Sequence, residues 1–157
     1  MTIDSHHHFW SYSAAEYPWI GDSMTALRRD FLPEHLQAEI VAAGIDGVVS
    51  VQARQSVRET ELLLSLADGN DFIKGVVGWV NLRSPELRGQ LEKYSKHPKL
   101  VGVRHVVHDE PDDCFMLRPE FRRGIAQLRE FSLIRLCFQD ECNHAMLPAW
   151  QDLYALT

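Results

Sequence analysis

Short runs rich in valine, isoleucine and leucine alternate along this chain with longer segments whose apolar residues recur every three or four positions. A short first strand, closed by the histidines of Asp4-Ser5-His6-His7-His8-Phe9-Trp10, is followed by a polar and aromatic connection over about 11–30 that contains Tyr17-Pro18-Trp19 and Gly21-Asp22. Pro33 then opens a predicted helix with Leu36, Ile40 and Val41 at helical spacing and Gly44 as its stop. Gly47 to Gln52 reads as a second strand. Ser56 and Glu59 have the spacing of a capping box for the next helix, whose apolar face is expected at Leu62, Leu63, Leu66 and Ala67 before Gly69-Asn70. Ile73 to Val80 predicts a third strand, and Ser84-Pro85-Glu86 opens a helix with Leu87 and Leu91 inward, running to about Lys96. Leu100 to Val106 predicts a fourth strand, Pro119 to Phe131 a helix carrying Phe121, Ile125 and Leu128, and a fifth strand starts near Ser132.

Near-continuous apolar strands separated by amphipathic helices predict a parallel sheet covered by helices, an α/β fold. An open doubly wound sheet usually carries a glycine-rich phosphate turn after its first strand, and none is present. Polar or ionisable residues instead close successive strands: His6 and His8, Gln52 and Arg54, Asn81 and Arg83, Arg104 and His105. That placement predicts part of a (β/α)8 barrel, whose functional groups gather at the carboxyl ends of the strands. A full barrel takes about 250 residues; 157 residues supply about four and a half βα units.

In an extended strand, side chains two apart share a face. His6 and His8 therefore project together, His7 points away, and the pair has the makings of half a divalent-metal site. His7 is read as a packing residue or one that supports the ligands. Gln52 and Arg54 share a face by the same rule, and the fixed fork of Arg54 suits a carboxylate or a hydroxyl array, a strand-to-helix ion pair being the equal alternative. Arg104 and His105 fall on opposite faces. His105 is a candidate ligand, acid–base group or donor to substrate. Trp10, Tyr17, Trp19 and Trp79 have the aromatic faces that suit a sugar ring, core packing being the better reading for Trp79. His108 lies in the acidic stretch Asp109-Glu110-Pro111-Asp112-Asp113, read as solvated, and His35, His97 and His144 are read as surface residues.

Composition narrows the partners. A formal charge of −6 and pI near 5.7 argue against nucleic acid and anionic membranes, which need clustered Lys and Arg. No apolar run approaches the roughly 20 residues of a membrane helix, and Met1-Thr2-Ile3-Asp4 lacks the pattern of a secretory leader, so a cytoplasmic location is expected. Cys114, Cys137 and Cys142 have no spacing typical of a disulfide scaffold or zinc knuckle and are read as free thiols.

Taken in order, Asp4-Ser5-His6-His7-His8-Phe9-Trp10, Tyr17-Pro18-Trp19, Phe31-Leu32-Pro33, Val51-Gln52-Ala53-Arg54, Gly75-Val76-Val77-Gly78-Trp79-Val80 and Gly102-Val103-Arg104-His105 resemble the amidohydrolase-related metal-dependent hydrolases. Within these the pattern is similar to the sugar-lactonase branch, the fuconolactonase- and rhamnonolactonase-like proteins. The resemblance implies a barrel that hydrolyses a small cyclic ester, such as an aldonolactone, to the open acid. It implies His6 and His8 as ligands of a divalent metal, expected to be zinc, and Gln52, Arg54, Arg104 and His105 match the family's polar positions at the following strand ends; with the residue reading above, Gln52, Arg54, Arg104 and Trp10 are expected to bind substrate and His105 to be catalytic. The family's water-activating aspartate, after the eighth strand, and a further histidine, after the sixth, have no counterpart here. The partner is then a small-molecule sugar lactone, with a homo-oligomer as one way for a part-barrel to cover its edges. Residues 1–133 are the amidohydrolase-like half. Residues 134–157 depart from the pattern, and we read them as an atypical tail created by a frameshift, since the bases encoding Ile134-Arg135-Leu136 can spell Tyr-Asp in another frame. Alternatives kept open are a non-catalytic truncated remnant of such a hydrolase and a decarboxylase or C–C hydrolase on the same barrel.

Overall fold

A computed structural model of the chain describes residues 1–131 and 133–138, the last five as a backbone path. Five strands form one parallel sheet whose spatial order is the chain order: β1 (Ile3–His7), β2 (Gly47–Val51), β3 (Ile73–Gly78), β4 (Leu100–Val106) and β5 (Ile134–Phe138). A doubly wound sheet reverses direction at a switch point and puts its first strand in the middle. Here β1 stands at an edge and every unit adds to the same side, the progression of a (β/α)8 barrel. The fold is α/β, a partial barrel, as the sequence predicts. The connecting helices are α1 (Pro33–Ala42), α2 (Val57–Gly69), α3 (Leu87–Tyr94) and α4 (Pro119–Leu128). The sequence-expected fifth strand is present as β5; the remainder of the segment 134–157, with its frameshift reading, Cys142 and His144, lies outside the described residues.

One face of the sheet is sealed by the helices. Val48, Ile73, Val76 and Val103 pack against Leu63, Leu64 and Ala67 of α2, Leu87 and Leu91 of α3, and Phe121, Ile125 and Leu128 of α4, all buried. Thr60 of α2 clips this layer to the end of β3: its hydroxyl donates to the Trp79 carbonyl at 2.8 Å, and the Trp79 N–H donates back at 2.7 Å. Gly124 lets α4 approach the β3–α3 connection, because a Cβ there would lie 2.0 Å from the Leu82 carbonyl oxygen.

Helix α1 ends as its sequence predicts. Gly44 has φ +69°, the Ile45 N–H reaches the Ile40 carbonyl at 2.8 Å and the Gly44 N–H reaches that of Val41 at 3.2 Å, a Schellman closure that needs glycine. Three local expectations are corrected. Val41 is 72 % exposed and only Ile40 of that stripe is buried. In α2 the buried stripe is Leu63, Leu64 and Ala67, with Leu62 only half-buried, because the helix rolls Glu59 and Thr60 inward. Ser56 is the N-cap but makes no side-chain capping bond, and Glu59 is drawn elsewhere.

Residues 11–30 form a loop closed at its neck. Trp10 and Phe31 exchange backbone hydrogen bonds of 2.9 Å in both directions, and Asp30 accepts the Tyr12 N–H at 2.6 Å. Trp10, Tyr17 and Ile20 form a second small core inside this loop. No described helix is long and apolar enough to cross a membrane.

Candidate active site

Strand alternation brings His6 and His8 together. Their Nε2 atoms stand 3.2 Å apart, while His7 turns to the other face, against Phe9 and Asp4. There it lines a separate cleft of about 330 Å³ with Phe31, His35 and Glu39. His8 Nδ1 lies 2.8 Å from the carbonyl oxygen of Val51 on β2. A carbonyl only accepts, so Nδ1 carries the proton and the Nε2 lone pair of His8 is left facing His6. Burial pushes the His8 imidazole down to about 4, with Arg104 and His6 adding to the effect; burial and then Arg104 lower His6 as well. Both rings are therefore neutral at pH 7, the form that ligates a metal.

The spacing fits a shared cation. Two nitrogens each about 2.0–2.1 Å from a tetrahedral zinc stand about 3.3–3.4 Å apart. The second-sphere bond of His8 to a main-chain carbonyl is also what orients metal-binding imidazoles. Without a cation the pair is awkwardly matched: Arg104 directs a guanidinium nitrogen at His6 Nε2 from 3.3 Å, which suits a His6 acceptor and sets its lone pair against that of His8. Among the described residues no group of three or more His, Cys, Asp or Glu side chains is placed to hold a metal, so the chain's described part supplies a two-imidazole corner.

Arg104 and His105 do fall on opposite faces of β4, which separates them functionally. Arg104 joins the imidazole pair. His105 is buried at 4 % exposure on the helix-covered face, stacked on Phe115 at 4.9 Å and edge-on to Phe121. Its Nε2 is 2.6 Å from Glu110 and its Nδ1 accepts the Trp79 indole N–H at 3.4 Å. Burial outweighs the Glu110 carboxylate and lowers its pKa. With both nitrogens engaged within the fold, His105 is not brought to the candidate site that the sequence assigned it to. The acidic loop expected to be solvated supplies its partner: the Glu110 side chain is 15 % exposed.

Gln52 and Arg54 diverge rather than sharing a direction. Gln52 is wholly buried, its Nε2 reaching the Arg104 carbonyl at 3.5 Å while its Oε1 has no hydrogen-bond partner among the described residues. Arg54 turns toward the loop 11–30, pairing with Glu16 at 2.9 Å above the Tyr17 ring. Trp10 is 6 % exposed and gives its indole N–H to the Arg29 carbonyl at 3.0 Å. It packs inside the loop with Phe31 and Tyr17, so its ring is not a platform for substrate.

Gln55, which sequence reasoning passed over, and Glu59, which it read only as a cap, organise this end of the sheet. Gln55 Oε1 accepts from Trp79 Nε1 at 3.2 Å and from the Val106 N–H at 3.1 Å, tying the turn after β2 to the ends of β3 and β4. Glu59, wholly buried, accepts the N–H groups of Ala53 and Arg54 at 3.0 and 2.8 Å and faces the Tyr17 hydroxyl at 3.3 Å. A glutamate at the third position of a helix carries no local signal distinguishing these partners from its own cap.

Burial raises the Glu59 carboxyl to about 7. The folded state then holds a proton that the unfolded chain releases near 4.5, so stability falls as pH rises from 4.5 to 7, by about 3 kcal/mol at most. His8 works in the opposite sense, costing stability as pH falls from 6.5 toward 4. Urea titrations across pH 4–8 should therefore show a shallow profile for the native chain. In Glu59→Gln the rising-pH loss should vanish, leaving a chain that only weakens toward acid; an unchanged profile would assign the ionisation to another group.

Comparison with known proteins bears on the family and the fold. The amidohydrolase family profile matches residues 3–134. An L-fucono-1,5-lactonase of Burkholderia multivorans is 43 % identical over 130 residues, 82 % of this chain and 44 % of that protein; one of Burkholderia ambifaria is 32 % identical over 123 residues, 78 % and 42 %. The chain spans less than half the length of these curated relatives. A crystal structure of an amidohydrolase from Burkholderia multivorans with bound zinc superposes with a TM-score of 0.87 at 39 % identity, over 99 % of this chain and 54 % of that one. A profile matched along most of the sequence, and the same sheet found in a solved relative, make this chain a member of the amidohydrolase family.

Proposed function

We propose that the chain carries the metal-binding and part of the substrate-binding face of a hydrolase that opens a sugar lactone to its aldonic acid. The observation that carries this is the His6–His8 pair, spaced at 3.2 Å, oriented through Val51 and flanked by Arg104. Support comes also from the fuconolactonase identity of two relatives and the zinc in a solved one. A divalent metal held by His6 and His8 would supply Lewis-acid polarisation of a carbonyl or acidification of water.

The chain's own residues do the rest. Hydrolysis of a lactone builds negative charge on the carbonyl oxygen and ends in a carboxylate. Arg104 presents a cationic donor next to the imidazole pair, where that charge develops, and in a partly desolvated setting its effect is large. Arg54, held by Glu16, is a second donor for the hydroxyls or the product carboxylate. Val51 keeps the proton of His8 on Nδ1, so Nε2 stays available throughout.

The test uses the full chain with zinc chloride and L-fucono-1,5-lactone, followed by an indicator of acid release, with L-fuconate binding measured by calorimetry. Zinc-dependent binding of the acid, weakened about tenfold by Arg104→Met, is expected. Binding indifferent to zinc and to Arg104 would overturn the reading. A second reading, a non-catalytic remnant, is favoured by the shortage of further ligands among the described residues; it predicts binding with no acceleration of ring opening above the buffer rate.

A further inference from the structure

Glu59 sits apart from the imidazole pair, and nothing in the lactone reading requires it. Its carboxylate is wholly buried, yet its bonds are not those of a helix cap. The amides it binds, Ala53 and Arg54, precede the N-cap Ser56, and both fall on Oε2, while Oε1 faces a phenol 42 residues earlier in the chain. Two segments remote in sequence thus meet on one side chain. Arg54 is held at that meeting from both its backbone and its side chain. Its own N–H is held by Glu59, its guanidinium lies 5.1 Å above the ring of Tyr17, and the neighbouring Glu16 takes NH1 at 2.9 Å.

A buried carboxylate is a poor way to gain stability. It gives up hydration, and here the ionised form is costly enough to bring its proton affinity up to about 7 despite three donors. An apolar residue would fill the space at lower cost. What the carboxylate offers instead is direction: two consecutive amides aimed at one oxygen admit very few backbone conformations for residues 53–54. The charged and titratable groups around it are Arg54, Arg104 and Tyr17, with Glu16 acting on Arg54 and Tyr17 in turn.

We propose that Glu59 is a positioning residue that clamps the 53–54 turn to the loop 11–30 and so presets Arg54 as an anion- and hydroxyl-binding arm. The proposal rests on the lactone-site reading only for what Arg54 binds, and not for how Arg54 is held.

Nitrogen-15 NMR of the full chain reads the clamp directly. In Glu59→Gln the amide protons of Ala53 and Arg54 should move upfield and the Arg54 Nε–H resonance should broaden or vanish through exchange with water. In the native chain all three signals should titrate together with one midpoint near pH 7, a measurement that needs no variant to fold. Independent titrations, or an unchanged Arg54 Nε–H signal in the variant, overturn the proposal. Binding of L-fuconate separates this from the wider reading. Arg54→Ala and Glu59→Gln should each weaken it about tenfold and the double variant no further. If Arg54→Ala weakens binding and Glu59→Gln does not, the clamp is refuted; if Arg54→Ala changes nothing while the NMR signals respond, the clamp stands and Arg54 is removed from the lactone site.

Discussion

Gly124→Ala should be among the most damaging single substitutions in this chain, lowering stability by about 3 kcal/mol or more. The added methyl carbon would arrive 2.0 Å from the carbonyl oxygen of Leu82 and 2.8 Å from its carbonyl carbon. Those are backbone atoms, so no rotamer change relieves the contact, and α4 as a whole must move outward. Helix α4 carries Phe121, Ile125 and Leu128, all inside the core, and lifting it loosens each of them. Against a typical domain stability of about 5–15 kcal/mol, such a loss is a large share. Urea unfolding followed by tryptophan fluorescence checks it. Gly89→Ala on α3 is the matched control: its Cβ would meet nothing within 4 Å, and alanine is the better helix former, so it should raise stability by up to about 1 kcal/mol. Equal effects at the two positions would contradict the packing described.

His8→Ala should lower zinc affinity by at least about 100-fold, since altering even the partners of a metal ligand typically costs 10–100-fold. The same substitution at His7 should change it by less than about twofold, because that ring points to the opposite side of β1. The acid dependence is equally specific. A free imidazole begins to lose metal to protons below its ordinary value near 6.5. Burial holds His8 near 4, so its lone pair remains available at pH 5.5, and competition from this ring sets in only as pH approaches 4. Calorimetric titration with zinc at several pH values measures both effects. A His7→Ala loss as large as that of His8→Ala would mean that the ion sits elsewhere.

What was legible in the sequence is what alternation and helical spacing control. The separation of His6 and His8 from His7, and of Arg104 from His105, follows from the two-residue repeat of a strand, and the structure reproduces it. The four sequence-predicted helices and the parallel order follow from equally local signals. Which face of β4 meets the imidazole pair was not legible. That depends on where the helices pack, and Phe115 and Phe121 claimed the side bearing His105. The fates of Trp10, Arg54 and Glu59 hinge on how the loop 11–30 folds back, through contacts such as Tyr17 with Glu59 that no spacing rule encodes. Glu110 was misread for a related reason: an acidic run suggests solvation, but one of its members meets a buried imidazole.

The anchoring of His8 on Val51 has a bearing on how the molecule comes into being. That bond crosses only the seam between β1 and β2. The orientation of that ring is thus set by contacts within residues 3–51, the earliest part of the chain to be synthesised. Arg104 comes later, with β4, and completes the polar cluster by reaching the imidazole pair from across the sheet.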